Sequence, residues 1–155
     1  MNVARRVYAA RVMYSSLLGL FGISFLAATL FPVQSELGLS GLIYLETAPV
    51  ALLVATASLG NTLGSVVNWA LGRGAASFAD AKWFPVKPHK LDKATAWYRR
   101  FGRWSLLMSW APIIGDPLTL AAGVLKETFW VFLTLVAIAK TSRYIVVALL
   151  ALQFF

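Results

Sequence analysis

The sequence predicts an all-α integral membrane protein with two helix–break–helix hairpins of the re-entrant kind, two spanning helices and one interfacial amphipathic helix. Three observations carry this. First, of 155 residues 59% are hydrophobic and only 13% charged, with a mean hydropathy of +0.73; soluble domains carry about 25% charged residues. Second, four apolar stretches, Met13–Phe31, Thr47–Leu71, Ser105–Leu125 and Phe129–Phe155, each approach the roughly 20 residues needed to cross a bilayer. Third, two of the four are broken by a proline with an acid four positions later. The length allows one membrane domain, 1–155, with one half in 1–72, a basic connection in 73–104 and a second half in 105–155. It leaves no room for a separate soluble catalytic module.

Arg5, Arg6 and Arg11 precede the first apolar run. The run is longer than the apolar core of a signal peptide and no A-x-A site follows, so it is expected to be retained. It ends in Phe31-Pro32-Val33-Gln34-Ser35-Glu36 and resumes at Leu37-Gly38-Leu39. The third stretch holds Ala111-Pro112-Ile113-Ile114-Gly115-Asp116-Pro117. Proline removes a backbone donor and disfavours helix in the residue before it. Freed backbone groups at membrane depth are tolerated only where protein or a wet cavity shields them from lipid. An acid at each break is costly unless paired or hydrated. The step along the chain from Pro32 to Pro112 is the same as that from Glu36 to Asp116. Paired broken segments in corresponding halves point to an inverted internal repeat with a site at its interface.

In the second stretch Gly60, Gly64, Asn68 and Gly72 recur every four residues. Small residues at that spacing let helix backbones approach closely. Asn61 and Asn68 either line a polar path or glue helices together. In the middle segment Trp83-Phe84-Pro85 and Pro88 break helix, and Leu91, Ala94, Trp97, Tyr98, Phe101 and Trp104 then follow helical spacing. Lys93, Arg99, Arg100 and Arg103 leave the other side basic. Such a helix is expected in the interface, aromatic side down and cations toward headgroups. From Arg73 to Arg103 there are eight cations and two acids, Asp80 and Asp92. In an apolar chain this favours the cytoplasmic face and anionic lipid over nucleic acid. The side of the N-terminus stays open. A first run that turns back puts Arg5 and Lys90 on opposite faces, whereas one that spans puts them on the same face.

The chain has no cysteine and one histidine, His89, between Pro88 and Lys90, which reads as solvated. It shows no Ser–His pairing, HExxH or paired-Asp motif, so no catalytic residue, metal or cofactor is expected. The chemistry lies in the last stretch. Lys140 and Arg143 have about a dozen residues on either side, and each such charge costs about 2.5–3.5 kcal/mol near the bilayer centre on insertion scales. Residues three apart share a helix face, so both cations and the neighbouring Tyr144 face protein. Glu36 and Asp116 are the expected partners. One reading is a static ion-pair network. The other is a site for an anionic headgroup, with Glu36 and Asp116 as proton-titrating or gating groups. In that reading Lys140, Arg143 and Tyr144 hold the anion, and Asn61, Asn68 and Ser109 are polar lining. Membrane lipids, anionic or phosphate-bearing, are the expected partners, and the sequence leaves room for protons and for self-association.

At these residues the chain resembles the DedA superfamily, also called SNARE-associated or VTT-domain proteins, and within it the small YqaA-like branch. Four features carry the resemblance: Pro32 to Glu36 with the apolar run after it; Gly60-Asn61-Thr62-Leu63-Gly64 leading to Leu71-Gly72-Arg73; Ser109 to Pro117 ending in Gly123; and Lys140-Thr141-Ser142-Arg143-Tyr144. The resemblance implies two re-entrant hairpins meeting within the bacterial inner membrane and a role in moving or scrambling lipids. Relatives are implicated in recycling an undecaprenyl phosphate carrier, with dependence on proton motive force. Their acids near the first break match Glu36. Many members carry arginines three positions before and after the second-hairpin proline, where this chain has Ser109 and Gly115.

Overall fold

A computed structural model of the chain describes residues 3–28, 32–74, 88–112 and 114–154. Residues 29–31 at the first break, Ile113 at the second, and the Trp83-Phe84-Pro85 segment with Lys82 and Lys87 lie outside the described residues. The described elements are all helical: α1 (Val3–Ala27), α2 (Pro32–Tyr44), α3 (Val50–Arg73), α4 (Pro88–Phe101), a 3-10 stretch (Gly102–Trp110), α5 (Gly115–Val124) and α6 (Phe129–Phe154).

Among the described residues, three helices are long and apolar enough to cross a membrane: Arg5–Ala27, Val50–Arg73 and Phe129–Phe154. Two of them are the expected spanning helices, and the third is the first apolar run, whose length alone would also allow it to cross. The first apolar run does not start a helix at Met13. It continues a helix that already runs through Arg5, Arg6 and Arg11, because alanine, arginine and methionine are good helix formers and no glycine or proline interrupts them.

The long helices α3 and α6 run antiparallel. Near one end Trp69 stacks on Phe132 and meets Phe129 edge-on, and further along Asn61 bonds Tyr144. Helix α1 runs parallel to α3. A Cβ at Gly60 would strike the Phe21 carbonyl and one at Gly64 the Phe25 carbonyl. These glycines therefore bring two backbones into contact, as the four-residue spacing predicts. Helix α1 ends level with Asn68, whose Nδ2 donates to the Ala28 carbonyl at 2.8 Å, while α3 continues to Arg73. Beyond that level α5 takes the place of α1. Gly72 and Gly123 face each other there, and a Cβ on either would collide with backbone of the opposite helix.

The two halves share turn chemistry. After α2, Leu45, Glu46 and Thr47 donate backbone bonds to Gly41, Ile43 and Leu42; after α5, Leu125, Lys126 and Glu127 donate to Ala121, Gly123 and Ala122. Each donor and acceptor is displaced by the same step that separates Pro32 from Pro112. Glu46 and Lys126 occupy the left-handed region, with φ of 49° and 58°, a common way to close a helix C-terminus. The packing is also matched. Helix α1 lies on α3 as the 3-10 stretch lies on α6, and α5 lies on α3 as α2 lies on α6.

Helix α4 departs in part from its expected role. Leu91, Ala94 and Tyr98 dock it on α5 through Leu118, Ala121 and Ala122, while Trp97, Phe101 and Trp104 stay exposed. The aromatic side is thus divided between protein and surroundings. Tyr98 donates to Glu127 Oε2, and burial and then this carboxylate push its hydroxyl pKa up. Gly102, at φ 65°, turns the chain into the 3-10 stretch, a backbone conformation that glycine adopts without a Cβ penalty.

Candidate ionic site inside the apolar bundle

Two apolar clusters lie along α6. One gathers Leu20, Leu39, Leu53 and Ala57 around Tyr144, Ala148 and Ala151 of α6; the other gathers Leu106 and Ala122 around Phe132, Leu135 and Val136. Between them α6 contributes Lys140 and Arg143, both buried. Helix α3 faces this layer with buried Asn61, Ser65 and Asn68. Apolar packing above and below thus leaves a polar layer in the middle of the bundle, where each charge needs a partner.

Both acids come from helix beginnings. Asp116 sits in the first turn of α5, where negative charge is favoured by the helix dipole. Its Oδ1 lies 3.4 Å from Lys140 Nζ. Glu36 follows the first turn of α2, and its Oε1 accepts from Arg143 Nε. The acids therefore meet one turn of α6 from two different helices, α2 and α5, and each takes its own cation. The two pairs differ in access. The side chains of Lys140 and Asp116 are 3% and 18% exposed; those of Arg143 and Glu36 are 6% and 31% exposed.

Tyr144 does not point to either cation's acid. It accepts from Asn61 Nδ2 at 2.9 Å and donates to Ser35 Oγ at 2.9 Å, tying α3, α6 and α2 together. Asn68 bonds Ala28 and, at 3.4 Å, Thr119 Oγ1, which itself donates to the Asp116 carbonyl. The asparagines are thus interhelical links. Asn61 Oδ1, Asn68 Oδ1 and Ser109 Oγ also remain buried with no hydrogen-bond partner among the described residues, so the layer keeps spare polar capacity. Ser109 is packed against the second break, where a Cβ at Gly115 would strike its carbonyl. With the break closed this tightly, no arginine fits at position 115 in place of the glycine.

Two pockets open beside Glu36. One of about 570 Å³ is lined by Glu36, Trp110, Pro112, Arg143 and Val146. The other, about 410 Å³, shares Glu36 and Val147 with it and continues along Leu150 and Phe154 of α6. Ionic contact is therefore available from an apolar flank of the bundle through the Glu36–Arg143 pair; Asp116 and Lys140 line neither of these two pockets. The sequence reading missed Ser35, Thr119, Trp110 and Pro112 as parts of this site. Ser35 stands next to Glu36 in the first break and Trp110 and Pro112 stand in the second, but nothing in their spacing indicates a shared pocket.

Fold and site together define a multi-pass membrane protein with an ionic centre between helices interrupted at proline breaks. Comparison with known proteins agrees. A model described as the VTT domain matches residues 7–152. Inner membrane protein YqaA of Escherichia coli strain K12 and that of Shigella flexneri are each 36% identical over 140 residues, covering 89% of this chain and 92% of theirs. An uncharacterized Haemophilus influenzae protein is 30% identical over 151 residues, 90% of each chain. No solved structure matches. The chain belongs to the VTT-domain family, within its YqaA-like branch. It is a multi-pass protein of the bacterial inner membrane.

Proposed function

We propose that the protein is a lipid transporter or scramblase for a phosphate-bearing lipid, a polyprenyl phosphate among the candidates. The observation that carries this is the Glu36–Arg143 pair at the wall of a pocket of about 570 Å³ on the apolar flank of α6. A membrane scaffold needs a stable ionic centre but no such opening. An intramembrane ion pair reached from the side suits a headgroup that arrives from the bilayer with its chain outside.

The reading takes α1–α2 and the 3-10 stretch–α5 as hairpins entering from opposite faces, related as an inverted repeat. The turns matched at one constant offset and the matched packing support it, as does the end of α1 beside Asn68 while α3 runs on. Arg143 is the phosphate ligand, because its planar fork grips phosphate through two hydrogen bonds. Glu36 holds Arg143 through Nε, so a phosphate competes with it for the guanidinium, and protonation of Glu36 makes that exchange easier. This is a direct route to proton coupling. Asp116 and Lys140 support the site from behind, the closed pair fixing how far α5 reaches toward α6.

The test is translocation of fluorescent phospholipid and polyprenyl phosphate in proteoliposomes, with and without a proton gradient, per folded molecule. Arg143→Lys should be impaired, Arg143→Ala more so, and Glu36→Gln should lose its response to the gradient. Normal specific activity in the Arg143 variants, with only a lower melting temperature, would favour the scaffold.

A further inference from the structure

The second break has another side. Trp110 and Pro112 face the pocket of the ionic pair, whereas Ile114 and Pro117 face a separate pocket of about 430 Å³ beneath α4. His89, Lys90, Lys93, Ala94 and Trp97 complete its lining. Positions 89, 93 and 97 are spaced four apart and so fall on one helix face, with Lys90 beside them. Neither lysine forms an ion pair among the described residues. The nearby acids are accounted for: Asp116 pairs with Lys140, and Asp92, on α4, is not part of the lining.

We infer that this pocket is a second binding site, for an anionic glycerophospholipid of the leaflet surrounding α4. Lys90, Lys93 and His89 line the pocket together with apolar Ile114, Pro117 and Ala94. A soluble anion would use the cations and leave the apolar lining unsatisfied, while an anionic lipid uses both. Exposed Trp97, Phe101 and Trp104 extend the surface on the same segment, and tryptophan is the residue enriched at headgroup level. The site is independent of the Glu36–Arg143 reading. It places a bound lipid against the same break that walls the ionic pocket, so its occupancy bears on the position of Ile114 and Pro117.

The experiment is quenching of Trp97 emission by brominated phosphatidylglycerol against brominated phosphatidylcholine, with the full chain in vesicles and Trp97→Phe as the background. Each lysine near a lipid surface is worth about 1 kcal/mol, or about five-fold, so phosphatidylglycerol should be preferred by at least about five-fold at Trp97. The preference should vanish in Lys90→Gln/Lys93→Gln, return in Lys90→Arg/Lys93→Arg, and survive in Arg99→Gln/Arg100→Gln, whose arginines are exposed on the same helix outside the pocket. Both lysines are exposed, so the variants are expected to fold, and the melting temperature checks this. Equal quenching by the two lipids overturns the site. So does a preference lost equally in the Arg99/Arg100 variant, which would mean general attraction to a basic helix. Abolition of the preference by inorganic phosphate would assign the pocket to a soluble anion instead.

Discussion

Replacing Lys140 by methionine isolates the closed ion pair. At 3.4 Å and an effective dielectric near 20, the attraction between Lys140 and Asp116 is about 5 kcal/mol, but the cost of taking both charges out of water offsets most of it. The single change should therefore cost about 3–5 kcal/mol, because it leaves the Asp116 carboxylate buried without its partner. Asp116→Asn should cost a similar amount by stranding Lys140, whose side chain is 3% exposed. The double variant Lys140→Met/Asp116→Asn should recover most of the loss and come within about 1–2 kcal/mol of the parent. The assay is reversible unfolding in mixed micelles for the parent, both singles and the double, read as a coupling energy. Losses that simply add, with a coupling below about 0.5 kcal/mol, would refute the pairing. The cycle also separates roles. Translocation per folded molecule should persist in the double variant if Lys140 and Asp116 only support the site, and its loss would place them in the headgroup path.

Gly123→Ala should destabilise by about 1–3 kcal/mol, because its Cβ meets the Trp69 backbone; Gly41→Ala, with nothing within 4 Å, should be neutral or stabilising by up to about 1 kcal/mol, and thermal unfolding of both variants checks the contrast. Asn61→Ala should cost about 0.5–2 kcal/mol by freeing Tyr144 from α3, read as a lowered melting temperature. The chain has no cysteine, so single cysteines report topology: Ala96→Cys on α4 should resist a membrane-impermeant maleimide in spheroplasts while Leu45→Cys, at the opposite end of α3, reacts. Labelling of both from outside would overturn a cytoplasmic α4.

What the sequence made legible was periodicity and cost. Apolar runs of spanning length announced the membrane, and two charges three residues apart in the last run announced a protein-facing site, because lipid offers no alternative. The prolines and acids repeated at one constant offset pointed to the two halves whose turns then share their hydrogen bonds. Pairing was not legible. Nothing in the order of residues says that Asp116 takes Lys140 while Glu36 takes Arg143, since that choice depends on how α2 and α5 approach α6. Nor could spacing show that Tyr144 turns to Asn61 and Ser35, or that Gly72 meets Gly123. The start of α1 was missed for a different reason. Arginines read as a boundary in a hydropathy pattern, yet they do not interrupt a helix. The amphipathic pattern of α4 gave its buried face only in part, because a helix pattern states which side is apolar but not whether protein or bilayer covers it.

The matched halves carry unmatched charge. The step that carries Asp116 onto Glu36 carries Lys140 onto Gly60 and Arg143 onto Leu63, and Gly60 is committed to contact with α1. A pair of identical inverted hairpins would have two conformations of equal energy related by a two-fold rotation, reached by exchanging the shapes of the halves. With both cations fixed on α6 that degeneracy is gone. One conformation keeps each acid beside its cation, and the exchanged one would ask glycine and leucine to do the same. On the proposed transport reading, the conformation described here is the lower in energy of the two, and an anion at Arg143 or a proton on Glu36 would narrow the gap to the other.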